Sequence, residues 1–222
     1  MDRAWLTLLW ILQDISIFIA LLIFIVTNRA GRKNFVWIGW MLGVSLLTEI
    51  LAHIGYWIFR LNMNLLNSLF EFFLVPIYFA FYKSKISSPG TVAALRLMMY
   101  AFLIFHFISV VFIRGIHDIH DYSAAFRSVV LMTYALIYFY TLMKDLPTQL
   151  VTRLPMFWIN ASILVYYANM LIISLLAEYI ISVLKGDIIL TWMVHNFLGI
   201  VHYSMLAIGL WGNRSLYTPR SS

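Results

Sequence analysis

Seven apolar runs, each near the length that crosses a bilayer, follow one another along this chain with only short joints between them. They are Trp5–Val26, Phe35–Phe59, Leu65–Phe81, Val92–Ile113, Ala124–Met143, Met156–Leu184 and Ile189–Trp211. About 20 apolar residues in a helix, rising ~1.5 Å each, cover the ~30 Å hydrocarbon core. The expected fold is therefore all-α: a polytopic membrane protein of seven transmembrane helices, forming one domain over residues 1–222. No joint is long enough to fold separately. The sixth run exceeds a perpendicular crossing, so it tilts or extends beyond the lipid. A soluble domain is excluded by the balance of 63% hydrophobic to 11% charged residues, since soluble domains average about a quarter charged.

The net charge of +6 does not point to nucleic acid, because the basic residues lie in the joints, where they set topology. One set of helix ends carries Arg29, Arg32, Lys33, Lys83, Lys85, Lys144, Arg153, Arg214 and Arg220. The other carries Arg3, Arg60, Arg114 and Lys185. Nine against four places the N-terminus outside and the C-terminus in the cytoplasm. Trp5, Trp37, Trp57, Trp158 and Trp211, near the ends of the runs, fit an aromatic belt. The first run is too long for a signal-peptide core and no A-x-A site follows it, so it reads as a retained helix. The absence of cysteine excludes disulfides, thiolate metal sites and cysteine nucleophiles. FVWIG (Phe35–Gly39) and MFWIN (Met156–Asn160) open the second and sixth runs after basic joints. Asn67–Leu69 (NSL) and Asn196–Leu198 (NFL) recur in the third and seventh. These matches suggest a three-plus-one-plus-three repeat around the fourth helix, a plan met in transporters.

Ionisable residues inside a membrane span are costly and define functional hypotheses. Glu49 and His53 are four apart on one helical face; Asn64, Asn67 and Glu71 share a face of the next helix. His195, Gly199 and His202 form a face of the seventh, flanked by Asn196 and Tyr203, and Gly199 permits a close approach there. Arg127, Tyr134 and Tyr138 share a stripe of the fifth, while Asp14 and His106 lie near mid-depth. In the proposed orientation these groups favour the outer half, which implies an outward-facing polar cavity. Glu49, His53, Asn67, Glu71, Arg127, His195, Asn196 and His202 are its expected lining. Each also has a structural reading: Glu49 with His53 as a hydrogen-bonded pair, Glu71 with Arg127 as an ion pair, the asparagines as interhelical bonds. The joint IHDIHDYS, with His117, Asp118, His120 and Asp121, has the composition of a surface divalent-metal site, but the favoured reading is a solvated loop.

FWINASILVYYANMLI (Phe157–Ile172), HNFLGIVHYSMLAIGLW (His195–Trp211), Glu49 and NLLNSLFEF (Asn64–Phe72) resemble a group of small orphan seven-helix bacterial inner-membrane proteins. They also look like the membrane-embedded sensor halves of some bacterial histidine kinases. The resemblance implies seven helices in a bacterial inner membrane, without a known activity, and this chain carries no kinase core. A second resemblance is to the ceramidase and adiponectin-receptor superfamily of membrane hydrolases. It implies zinc held by His53, His195 and His202, with a carboxylate as base. That family spaces its last two histidines four apart, whereas His195 and His202 are seven apart, ~10.5 Å along a helix. Two ligands of one zinc lie only ~3–3.5 Å apart, from metal–nitrogen bonds near 2 Å.

The expected role is a membrane sensor or binding module for a small or lipidic ligand. It works through a signalling partner or a second copy in the lipid bilayer, and this reading assigns it no catalytic step, while the hydrolase alternative leaves an enzyme open. No cofactor is expected unless the hydrolase resemblance supplies zinc. The alternatives are that zinc-dependent lipid hydrolase and a small transporter with the three-plus-one-plus-three plan. Haem ligation is permitted by His53, His106, His195 and His202 but not indicated. Retinal is excluded because the seventh run has no lysine.

Overall fold

The computed structural model describes residues 3–28, 35–55, 63–113, 121–145, 151–182 and 188–215. Seven long helices account for nearly all of them: α1 (Arg3–Asn28), α2 (Val36–Ile54), α3 (Met63–Lys83), α4 (Pro89–Ile108), α5 (Asp121–Asp145), α6 (Pro155–Ser182) and α7 (Ile188–Ser215). A π-helical turn at Ser109–Ile113 continues α4, and a 3₁₀ turn at Val151–Arg153 leads into α6. Most helices run a few residues past the apolar runs that announce them. Helical hydrogen bonding does not stop where lipid contact stops.

Exposure along α1 inverts the soluble pattern. Leu8, Ile11, Ile15, Phe18, Leu22 and Ile25 are exposed at helical spacing, while Gln13, Ser16 and Thr27 are buried. On α4 and the π-helical turn that continues it, Leu97, Ile104, Phe107 and Phe112 face outward while His106 is buried. A surface of large aliphatic and aromatic side chains around an interior that also buries polar groups is stable only where the solvent is itself apolar. Among the described residues, six helices are long and apolar enough to cross a membrane: Ala4–Asn28, Val36–Ile54, Pro89–Phe112, Tyr122–Lys144, Pro155–Leu176 and Leu190–Gly212. The chain is accordingly a multi-pass membrane protein. The remaining helix, α3, is 21 residues long and carries Asn64, Asn67, Glu71 and Pro76 within its apolar run.

Each helix packs on the next in sequence, α7 returns to α1, and α3 also reaches α5. The polar α3 therefore has neighbours on several sides. Pro76 within it removes one helical N–H donor. The start of α4 is fixed by Ser88, whose side chain accepts from the Thr91 N–H, with Pro89 as first helical residue. The apolar core joins Ile38 and Leu42 of α2, Leu74, Val75 and Phe81 of α3, Leu131 of α5, Ile159 and Ile163 of α6, and Leu206 and Leu210 of α7. Two buried tyrosines anchor it by their hydroxyls: Tyr82 donates to Asn160 Oδ1 at 2.7 Å, and Tyr134 to the Leu95 carbonyl at 2.7 Å. Asn160 therefore ties α6 to α3.

Candidate functional site

Asp14, Glu49, His53, Glu71, His106, Arg127 and His195 fall in the half of the bundle that holds the first residues of α1, with His202 near the middle, and they form three clusters. The first joins α1 to α2. His53 Nε2 donates to Asp14 Oδ2 at 2.7 Å. Glu49, one turn before His53, accepts from Trp10 Nε1 at 3.3 Å and from Gln13 Nε2 at 3.2 Å. The Trp10 indole stacks on the His53 ring at 4.3 Å between centroids. Gln13 reaches this position because α7 presents Gly199: a Cβ there would stand 2.5 Å from Gln13 Oε1.

The second cluster joins α3, α4 and α5. Arg127 Nη1 lies 2.7 Å from Glu71 Oε1, within range of a charge-assisted hydrogen bond. His106 Nε2 faces the Ser68 carbonyl at 3.1 Å. A carbonyl only accepts, so Nε2 carries the proton, and in the neutral ring Nδ1 accepts from the Ser123 hydroxyl at 2.5 Å. Glu71 Oε2 is 3.7 Å from His106 Nδ1, an electrostatic contact rather than a hydrogen bond.

The third cluster joins α6 to α7. His202 Nδ1 lies 2.6 Å from Ser162 Oγ, and Tyr166 stacks on the His202 ring at 4.6 Å. His195 Nδ1 lies 3.2 Å from Met170 Sδ. Tyr166, Tyr167 and His195 all stand within electrostatic reach of Arg127, so the second and third clusters face one another across the interior. Outside the spans, burial lowers the pKa of the Lys85 amine, which sits 4.9 Å over the Phe35 ring. Two surface grooves, about 370 Å³ between α1, α6 and α7 and about 610 Å³ between α4 and α5, lie towards the opposite end of the bundle.

Glu71 and Arg127 meet as the ion-pair reading requires. Glu49 and His53 are not bonded to each other; each turns to α1 instead, His53 to Asp14 and Glu49 to Trp10 and Gln13. Asn196 is buried. Asn67 is exposed and stands apart from the clusters, which corrects the face drawn for α3. Its inward face runs through Ser68, Leu74, Val75 and Tyr78, and Asn67 sits to one side of that line. The imidazoles of His53, His195 and His202 find separate partners on α1 and α6. Among the described residues, the group of three or more ligand types close enough to share an ion is Asp14, Glu49 and His53. The zinc trio implied by the hydrolase resemblance is therefore not assembled. The side chains of Asn64 and of His117, Asp118, His120 and Asp121 lie outside the described residues.

Sequence reasoning passed over Trp10, Gln13, Ser68, Ser123, Ser162 and Met170. Serines and a lone methionine carry no signal in a helix, since what recruits them is the register of a neighbouring helix. Gln13 beside Asp14 was the one legible clue. Comparison with family models, curated proteins and solved structures finds no match.

Proposed function

We propose that the chain is a membrane sensor or ligand-binding module that holds a small or lipidic ligand inside the helix bundle and signals through a partner protein or a second copy. The observation that carries this reading is Arg127. Its side chain is 9% exposed, Nη1 is engaged by Glu71, and Nε has no hydrogen-bond partner among the described residues. A buried donor left unmet costs ~1–3 kcal/mol, and more on a charged group. A ligand oxygen from a carboxylate, ester or phosphate meets that demand, and the aromatic groups of Tyr166, Tyr167 and His195 nearby suit the rest of such a molecule. His202, stacked on Tyr166, continues this wall in the proposal, with the buried Asn196 and, on α2, Glu49 and His53 completing the lining.

In this reading α3, 21 residues long, is the seventh span. The nine-to-four basic asymmetry supports an outside N-terminus and a cytoplasmic C-terminus, which makes the polar half the outer one. The matching openings of α2 and α6 support a repeat that pairs α1–α3 with α5–α7. Placement in a bacterial inner membrane rests on the resemblance to orphan seven-helix proteins and kinase sensor halves.

The test compares wild type with Arg127→Lys in lipid nanodiscs. Lysine keeps a positive charge beside Glu71 but has no Nε. Thermal unfolding is followed against a panel of fatty acids, aromatic carboxylates, phosphate esters and phospholipids. A ligand at 100 times its Kd stabilises by ~2.7 kcal/mol, a shift of several degrees. At least one compound is expected to shift wild type and not the variant. A panel that shifts neither, or both equally, contradicts the reading.

A further inference from the structure

We propose that Asp14, Glu49 and His53 form a binding site for a divalent first-row transition-metal ion of the zinc class, bridging α1 and α2. This inference stands on the first cluster alone and does not depend on a ligand at Arg127.

The donor set is mixed: one imidazole nitrogen and two carboxylates, whose nearest ligand atoms all lie within 4.8 Å of one another. Ligands of one zinc stand ~3–3.5 Å apart for bonds near 2 Å, so small side-chain rotations close the site. Imidazole with carboxylates suits zinc, cobalt, iron and manganese better than the alkaline earths, which prefer oxygen alone.

The second observation is an excess of acceptors. Gln13 is 4% exposed, its amide head lies against Glu49, and its Oε1 has no hydrogen-bond partner. Asp14 Oδ1 is likewise buried and unpartnered. Both unmet atoms at this cluster are acceptors, and both are oxygens that a cation takes directly. Turning the Gln13 amide over brings Oε1 to the cluster in place of Nε2, since the two ends have nearly the same shape.

Charge points the same way. Among the described residues, the ion-pair partner of Asp14 is His53, and neither Asp14 nor Glu49 meets a lysine or arginine. Ionised together, two carboxylates against one imidazole carry excess negative charge, which is expensive inside a span; a divalent ion offsets it. The remaining contacts are those that orient metal ligands from outside. Trp10 stacks on the His53 ring and donates to Glu49 Oε2, fixing both side chains as outer partners do. His195 and His202, engaged by Met170 and Ser162, take no part.

The experiment is cobalt and zinc titration of the purified full chain in detergent after chelator treatment. It is read by cobalt d–d absorption and by elemental mass spectrometry of zinc per chain after gel filtration. Wild type and His195→Ala are expected to bind about one equivalent. His53→Ala and Asp14→Asn should each bind at least ~10-fold more weakly, since losing an outer partner of a ligand alone costs ~10–100-fold. Glu49→Gln keeps the shape and hydrogen-bonding capacity of its side chain and serves as a second variant that should still fold; it too should lose affinity. Wild type without saturable binding would overturn the proposal whatever the variants do. So would binding lost in His195→Ala but kept in His53→Ala.

Discussion

Removing the charge of Glu71 isolates the Arg127 guanidinium. Glu71→Gln keeps the size of the side chain, but the arginine, 9% exposed and 2.7 Å from the lost carboxylate oxygen, is then buried without a counter-ion. Breaking a buried pair from one side costs ~3–5 kcal/mol. At ~2–4 °C per kcal/mol for a chain of this size, the melting temperature should fall by ~6–20 °C. Glu71→Leu with Arg127→Met removes both charges and keeps apolar volume, and such replacements are neutral or stabilising by up to ~4 kcal/mol. His106 keeps its bonds to Ser68 and Ser123 in both variants, so the difference between them reports the ion pair itself. Thermal unfolding followed by tryptophan fluorescence in detergent measures it. A Glu71→Gln melt within ~2 °C of wild type, or a double variant as damaged as the single one, would refute the reasoning.

Three further outcomes are expected. Tyr82→Phe leaves the buried Oδ1 of Asn160 without its 2.7 Å donor and should cost ~1–3 kcal/mol, read from the same melts. Gly199→Val puts a side chain where Gln13 stands, with Oε1 2.5 Å and Cδ 2.8 Å from the new Cβ; overpacking of this kind costs ~1–3 kcal/mol, and Gly199→Ala should be milder. Because the chain has no cysteine, single replacements report topology cleanly. A membrane-impermeant maleimide on intact cells should label Asp2→Cys and not Ser222→Cys, and the reverse pattern would invert the orientation.

The seven helices were legible because lipid demands continuous apolar runs, and such runs leave a strong trace in sequence. The first, third and fifth runs were the clearest; α3 could be drawn from sequence even though Glu71 and the asparagines lie within it, and it packs on α2, α4 and α5. Glu71 and Arg127 could be paired from sequence because each is conspicuous and both fall in the same half of the bundle. Asp14 with His53 could not, since the vertical register of α1 against its neighbours depends on close approaches such as Gly39 of α2 against Phe24 and Gly199 of α7 against Gln13, and no spacing within one helix reveals them. His202 was visible as a polar residue in an apolar helix. Its partner Ser162 was not, because serine in a membrane helix satisfies itself on the preceding turn as readily as it reaches across.

The central claim is that the polar interior around Arg127 holds a ligand and is not only interhelical glue. Its most direct test is mass spectrometry of small molecules and lipids released by denaturing wild type and the Glu71→Leu/Arg127→Met double variant, both purified gently and both shown to be folded. The account expects a compound with an acidic or ester oxygen, near stoichiometric in wild type and absent from the variant. Identical released profiles from two folded proteins would contradict it.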